Sequence, residues 1–145
     1  MDADRIIGVI VDWAKAQPAI EAVAVVGSYA RGTARADSDI DLVLLTTRPR
    51  EFRTDTAWLD AIHWSAVGAR PMRWEGENYG GLWSLRLWLE QDGGEIEFGF
   101  ASPSWANVKG NSIGCQERVK VYLPTRRKRE LSHVLLFRPA TKIWK

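Results

Sequence analysis

The run Ile40-Asp41-Leu42-Val43-Leu44-Leu45 has the composition of a strand buried on both faces, yet it carries a carboxylate near its start. Taking an ionised carboxyl group out of water is costly unless a partner compensates it. A fold that accepts this strand must therefore bring Asp41 an opposite charge, hydrogen-bond donors or a cation. Two positions earlier stands Asp39. Side chains two apart on a strand share a face, so the two carboxylates converge and repel. A second apolar run, Ala22-Val23-Ala24-Val25-Val26, ends at Gly27 and reads as another strand buried on both faces, central in its sheet. Only the short polar stretch Ser28 to Ser38 links the two.

A chain of 145 residues suits one domain, and a composition of 46% hydrophobic and 26% charged residues is that of a globular protein with its own core. The expectation is a single domain over residues 1–145, with residues 125–145 as a basic C-terminal segment. No apolar run approaches the roughly 18 residues of a membrane span. Met1-Asp2-Ala3-Asp4 is acidic where a signal peptide would be basic. A cytoplasmic protein with no membrane partner is expected. One cysteine, Cys115, excludes an internal disulfide, and with two histidines a Cys/His zinc site is not expected, so a metal would be held by carboxylates. The formal net charge of +2 hides an asymmetry: residues 1–117 carry 11 basic and 17 acidic groups, while residues 118–145 carry 9 basic and 1 acidic.

Periodicity supplies the remaining elements. Arg5 to Ala16 has the spacing of a one-sided helix, with Asp4 as its cap and Pro18 as its stop. Asp55 to Val67, with Trp58, Leu59, Ile62 and Val67 on one face, reads as a second helix capped by Thr54 or Asp55 and ended near Gly68. Pro71 to Gly81 reads as a turn-rich loop. Leu82 to Glu90 and Glu95 to Ala101 flank Gln91-Asp92-Gly93-Gly94, a hairpin signal. Arg118 to Leu123 reads as a last strand stopped by Pro124, and Arg129 to Phe137 as a closing helix.

Hard oxygen donors such as Asp39 and Asp41 suit Mg²⁺ or Mn²⁺, which retain open positions for water and substrate phosphates. A solvated Asp pair at a strand edge is the plainer alternative. Gly27-Ser28 stands where the first buried strand must turn sharply into a short helix running through Arg31. Glycine allows a backbone to approach a phosphate closely, and amides at a helix start together with the Ser28 hydroxyl can donate to its oxygens. An ordinary strand-to-helix turn is the alternative. Gly-Ser ending one strand and Asp-x-Asp opening the next make a more specific pattern together than either does alone.

The run Gly27-Ser28-Tyr29-Ala30-Arg31-Gly32, followed by Ser38-Asp39-Ile40-Asp41-Leu42, resembles the signature of the nucleotidyltransferase superfamily typified by DNA polymerase beta. Its form is that of the small stand-alone minimal nucleotidyltransferases, some of which are antitoxins. The resemblance implies an α+β fold, a central mixed sheet flanked by helices. It also implies transfer of a nucleoside monophosphate, AMP from ATP foremost, to a hydroxyl acceptor with release of pyrophosphate. A third carboxylate is required on a later, adjacent strand. Glu97, between Ile96 and Phe98, fits better than Glu95. Asp39, Asp41 and Glu97 are then the expected catalytic and metal-binding residues, working with two metal ions. Gly27, Ser28 and Arg31 are the expected nucleotide-binding residues. Glu reaches one methylene further than Asp, so the third carboxylate is open to either role, metal ligand or general base. Arg31 and Arg86 would stabilise phosphate charge or hold the carboxylates in place.

The expected partners are a nucleoside triphosphate and an acceptor that is a protein, an RNA end or a small molecule, with a helical partner protein or a second copy of the chain as further candidates. The alternative function is a weakly catalytic or non-catalytic antitoxin-like subunit that acts by complexing a partner. Eight tryptophans read chiefly as core, given the alternation of Leu85, Leu87 and Leu89 with Trp83, Ser84, Arg86 and Trp88; base stacking is the alternative. The run Arg126-Arg127-Lys128-Arg129 reads as a solvated face, with phosphate binding as the alternative. His63 reads as structural or exposed, and Cys115 as a small packed residue.

Overall fold

A computed structural model describes residues 2–79, 82–90, 94–103, 116–122 and 130–137, the last two segments as backbone. Seven strands form one sheet: β1 (Ile20–Val26), β2 (Ile40–Thr46), β3 (Pro71–Tyr79), β4 (Leu82–Leu89), β5 (Glu95–Ala101), β6 (Gln116–Tyr122) and β7 (Glu130–Phe137). Their order is β3-β4-β5-β2-β1-β6-β7. The β2–β5 pair is parallel and the other pairs are antiparallel. The sheet is mixed, as the α+β reading requires, and β1 and β2 lie in its interior.

Alternation divides the sheet into two faces with different work. Val23, Val25, Ile40, Leu42, Leu44, Leu85, Leu87, Ile96, Phe98 and Phe100 point to one face and are buried. Helix α1 (Ala3–Lys15) covers this face with Ile6, Ile7, Ile10, Trp13 and Ala14. Phe52, Leu59, Ile62 and Trp64 complete the same core. Each fully buried large apolar side chain contributes roughly 1.5–3 kcal/mol. The opposite face carries Asp39, Asp41, Glu95, Glu97, Arg86 and Trp88. Ala24, Val26, Val43 and Leu45 share that face and are buried too, so β1 and β2 are covered on both sides and the polar groups gather toward one end of the sheet.

Local detail departs from the sequence reading in several places. Helix α1 is capped by Asp2, whose Oδ1 accepts from the Arg5 amide at 3.2 Å, so Asp4 falls in the first turn instead of capping it. The expected helix Asp55 to Val67 is broken. Helix α2 (Gly27–Arg31) precedes β2, and after β2 come α3 (Pro49–Thr54), α4 (Trp58–Ala61) and a 3-10 turn (Trp64–Val67). Asp55 is extended and its carboxylate accepts from the Ala57 amide at 2.9 Å, a local bond that competes with helix. Trp58 Nε1 donates to the Phe52 carbonyl at 2.9 Å and Trp64 Nε1 to the Leu59 carbonyl at 2.7 Å. Burial of Leu59 and Ile62, part-burial of Trp58 and Val67, and the Gly68 terminator hold, although the path between them is irregular.

The expected loop Pro71 to Gly81 is the edge strand β3. Its turn-forming residues have other work there. Pro71 opens the strand next to a bulge, and Gly76 lies under the Trp83 indole, where an added Cβ would come within 2.7 Å of the ring. Proline, a bulge and the exposed charges Arg73, Glu75 and Glu77 protect an edge from further pairing. The expected closing helix Arg129 to Phe137 is strand β7, paired with β6 from Gln116↔Phe137 to Tyr122↔Glu130. Ladder pairing with a neighbour overrides the local apolar spacing that suggested a helix. Trp83 shares the leucine face of β4, packing on Phe100 at 5.3 Å, instead of alternating with it. Trp13, Trp58 and Trp64 join the core as expected, whereas Trp74 on β3 is 43% exposed. His63 is exposed. The run 126–129, Cys115 and Trp105 lie outside the described residues. Among the described residues, no helix is long and apolar enough to cross a membrane.

Phe98 is fully buried, in edge-on contact with Trp58 at 5.2 Å. Phe98→Ala is expected to lower unfolding free energy by about 3–5 kcal/mol, and Trp74→Ala at the edge by no more than about 0.5 kcal/mol, in urea titrations with unchanged slope.

Candidate active site

The parallel pairing of β2 with β5 sets Asp41 opposite Glu97, with Ile40↔Ile96 and Leu42↔Phe98 on either side. Asp39 lies one step before β2 on the Asp41 face. The antiparallel pairing of β5 with β4 then sets Glu97 opposite Arg86 and Glu95 opposite Trp88. One transverse row of the acidic face therefore reads Val26, Asp41, Glu97, Arg86 across β1, β2, β5 and β4.

Val26 ends β1, and the chain turns at Gly27 into the short helix α2. Gly27 has φ +72°, a left-handed conformation that L side chains rarely adopt, and a Cβ there would collide with Asp41 Oδ2. The turn and the acidic strand are thus in direct contact, and glycine is required on both grounds. Gly32, with φ +72°, ends α2, and the Thr33 amide donates to the Ser28 carbonyl at 3.0 Å.

Electrostatics make the site unusual. Burial, then the neighbouring charges of Glu97 and Asp39, push the Asp41 carboxyl up from 3.8 to about 7, against the opposing pull of Arg86 and Arg31. Asp39 is also raised, by burial first and then by Glu95, Glu97 and Asp37, with Arg86 opposing. The nearby cations are outweighed. Tyr29, on α2, is raised by burial and by Asp4 and Asp39, which places its ring near the same charge.

Glu97 is anchored from β4. Arg86 Nη2 stands 3.4 Å from Glu97 Oε2 and Arg86 Nη1 stands 3.8 Å from Glu95 Oε2. Ser84 Oγ donates to Glu97 Oε1 at 3.0 Å. Both glutamates therefore lie on the acidic face, Glu97 beside Asp41 and less exposed, at 15% against 29% for Glu95. Arg31 is exposed, one turn after Ser28, within electrostatic reach of Asp41. Sequence reasoning missed Ser84. Its signal was a small polar residue two positions before Arg86 on an alternating strand.

Among the described residues, no three acidic, histidine or cysteine side chains are grouped closely enough to hold one metal ion between them. The pair Asp39 and Asp41 is nevertheless a suitable donor set for Mg²⁺ or Mn²⁺. Mg²⁺ is commonly bound by one or two carboxylates plus substrate phosphates, and a divalent cation would offset the burial and the surrounding acidic charge that raise both groups.

A family model described as a nucleotidyltransferase domain matches residues 9–87, more than half of the chain. This chain belongs to the nucleotidyltransferase domain family, as the resemblance of the Gly-Ser and Asp-x-Asp segments implied. The matched stretch contains Gly27, Ser28, Arg31, Asp39 and Asp41 and ends before Glu97. No curated protein matches the chain.

A carboxylate raised in the folded state stabilises the fold fully below its unfolded value, and that contribution is lost as pH rises through the folded value. For Asp41 the window runs from 3.8 to about 7. In the metal-free protein, Asp41→Asn is expected to raise unfolding free energy near about pH 8 by up to about 4 kcal/mol and to flatten the loss of stability between about pH 4 and 8. Urea midpoints of both proteins across that range provide the check.

Proposed function

We propose that this nucleotidyltransferase-family protein transfers a nucleoside monophosphate, AMP from ATP foremost, to a hydroxyl acceptor and releases pyrophosphate. The observation that carries this reading is the contact of the Gly27 turn with Asp41, in the same row that pairs Asp41 with Glu97. A turn suited to phosphate and a set of carboxylates suited to a cation and a proton meet at one end of the sheet.

In this reading Asp39 and Asp41 hold a divalent cation together with the triphosphate. Such a cation, when bound, neutralises charge developing on the phosphates and lowers the pKa of the acceptor hydroxyl. The backbone at Gly27 and the Ser28 hydroxyl donate to phosphate oxygens, and Gly27 permits the close approach because it has no side chain. Arg31 contributes positive charge on the same side. The acceptor oxygen forms its bond to the α-phosphorus as the bond to the pyrophosphate oxygen breaks, and Glu97 takes the proton that the acceptor loses. Arg86 neutralises part of the acidic field from β4. The protein contributes position and charge balance, which phosphoryl chemistry requires most.

Pyrophosphate release from each nucleoside triphosphate with Mg²⁺ or Mn²⁺, with and without candidate acceptors, tests the proposal. Asp39→Asn and Asp41→Asn are each expected to lower turnover by about 10²–10³-fold, and removal of divalent cations with a chelator to abolish it. Turnover unaffected by the double replacement Asp39→Ala and Asp41→Ala would falsify the mechanism. Stable capture of a partner protein without any pyrophosphate release would favour the antitoxin-like alternative.

A further inference from the structure

We propose that Ser84 is a positioning residue that fixes the carboxylate of Glu97; the proposal deepens the nucleotidyl-transfer reading and rests on the role of Glu97 in it. Ser84 is 2% exposed, and among the described residues it and Thr46 are the buried polar side chains. Thr46 serves its own turn, accepting from the Arg48 amide at 3.0 Å. Ser84 instead donates to Glu97 Oε1 at 3.0 Å, across the β4–β5 ladder.

The ladder explains how this bond is reached. Ser84 is directly opposite Gly99, and Glu97 is directly opposite Arg86. The absent side chain at Gly99 opens the diagonal from Ser84 to Glu97. Arg86 is on the same face of β4 and reaches Glu97 Oε2 at 3.4 Å, so the two carboxylate oxygens have separate partners. Arg86 also faces Glu95 Oε2 at 3.8 Å and is shared between two acids. The shorter hydrogen bond, from a side chain with few rotamers on an interior strand, is the one that sets the orientation of the carboxylate. A buried hydroxyl is costly without a partner, and alanine would fill the same space without that cost. The hydroxyl at position 84 therefore has its use in Glu97 rather than in packing.

Two variants and two readouts test this. Ser84→Ala removes the donor with almost no change in shape. Its kcat for pyrophosphate release is expected to fall about tenfold, the effect of one lost hydrogen bond to a charged group, with the KM for triphosphate unchanged. Ser84→Thr retains the hydroxyl opposite a residue with no side chain, Gly99, and is expected to stay within about threefold of the wild type. Crystal structures of the wild type and Ser84→Ala give a readout independent of turnover: Glu97 is expected in one orientation bonded to Ser84 in the first and displaced in the second. Wild-type kcat in Ser84→Ala, equal losses in Ser84→Ala and Ser84→Thr, or an unmoved Glu97 would each overturn the proposal. If the wild type itself shows no turnover, the transfer reading fails, and the two crystal structures alone decide whether Ser84 positions Glu97.

Discussion

The contact between the Asp41 carboxylate and the bare backbone of Gly27 organises the rest of this molecule. A carboxyl group largely removed from water and set beside two others is raised to about 7, even with Arg86 and Arg31 nearby. Burial and like charge outweigh the available cations, so the arrangement opposes stability wherever Asp41 is ionised. A fold maintains such a group only if the surrounding elements leave it no escape. Here β1 ends against it, β2 carries it, and β5 holds Glu97 opposite it. Perturbed carboxylates held in this way are characteristic of sites at which a ligand or cation completes the charge balance.

The stability that tolerates this strain comes from the other face of the same strands. Ile40 and Leu42 flank Asp41 along β2, and both are fully buried beneath α1 and the irregular segment from α3 to the 3-10 turn. Because strand side chains alternate, each residue that anchors the core also fixes the position of its neighbour on the acidic face. The aromatic cluster of Trp13, Phe52, Trp58, Phe98 and Phe100 stiffens the core, with ring separations of 5.2–6.3 Å. Interior strands, not loops, carry Asp41 and Glu97, which suits side chains that must be placed to within a fraction of an ångström.

The central strands and the two acidic positions were legible because their signals are local. An apolar run interrupted by one carboxylate and a glycine at a strand end are each visible within a few residues. Their neighbours in space were not visible in this way. Nothing in the sequence near Glu97 says that β5 lies parallel to β2, and the pairing followed only from resemblance to a family. The edge strand β3 was hidden because edge protection uses the residues of loops: Pro71, Gly76 and alternating charges. The helix expected over Asp55 to Val67 failed because two indole N–H groups and one carboxylate capture backbone partners, a competition that apolar spacing does not report. Strand β7 was misread as a helix because its apolar residues satisfy either period until the pairing partner is known.

Glutamate rather than aspartate at position 97 has a physical consequence. Its backbone is directly opposite Asp41, so a short carboxylate there would stay close to β2 and add its full charge to an already overloaded pair. The extra methylene lets the Glu97 oxygens turn toward β4, where Ser84 and Arg86 receive them at 3.0 and 3.4 Å. Burial and the charges of Glu97 and Asp39 still raise Asp41, while the Glu97 oxygens themselves are held from β4. A carboxylate held by an arginine and a hydroxyl keeps a fixed orientation toward β4. The spacing of carboxylates and donors across three adjacent strands thus gives Glu97 surroundings different from those of Asp39 and Asp41.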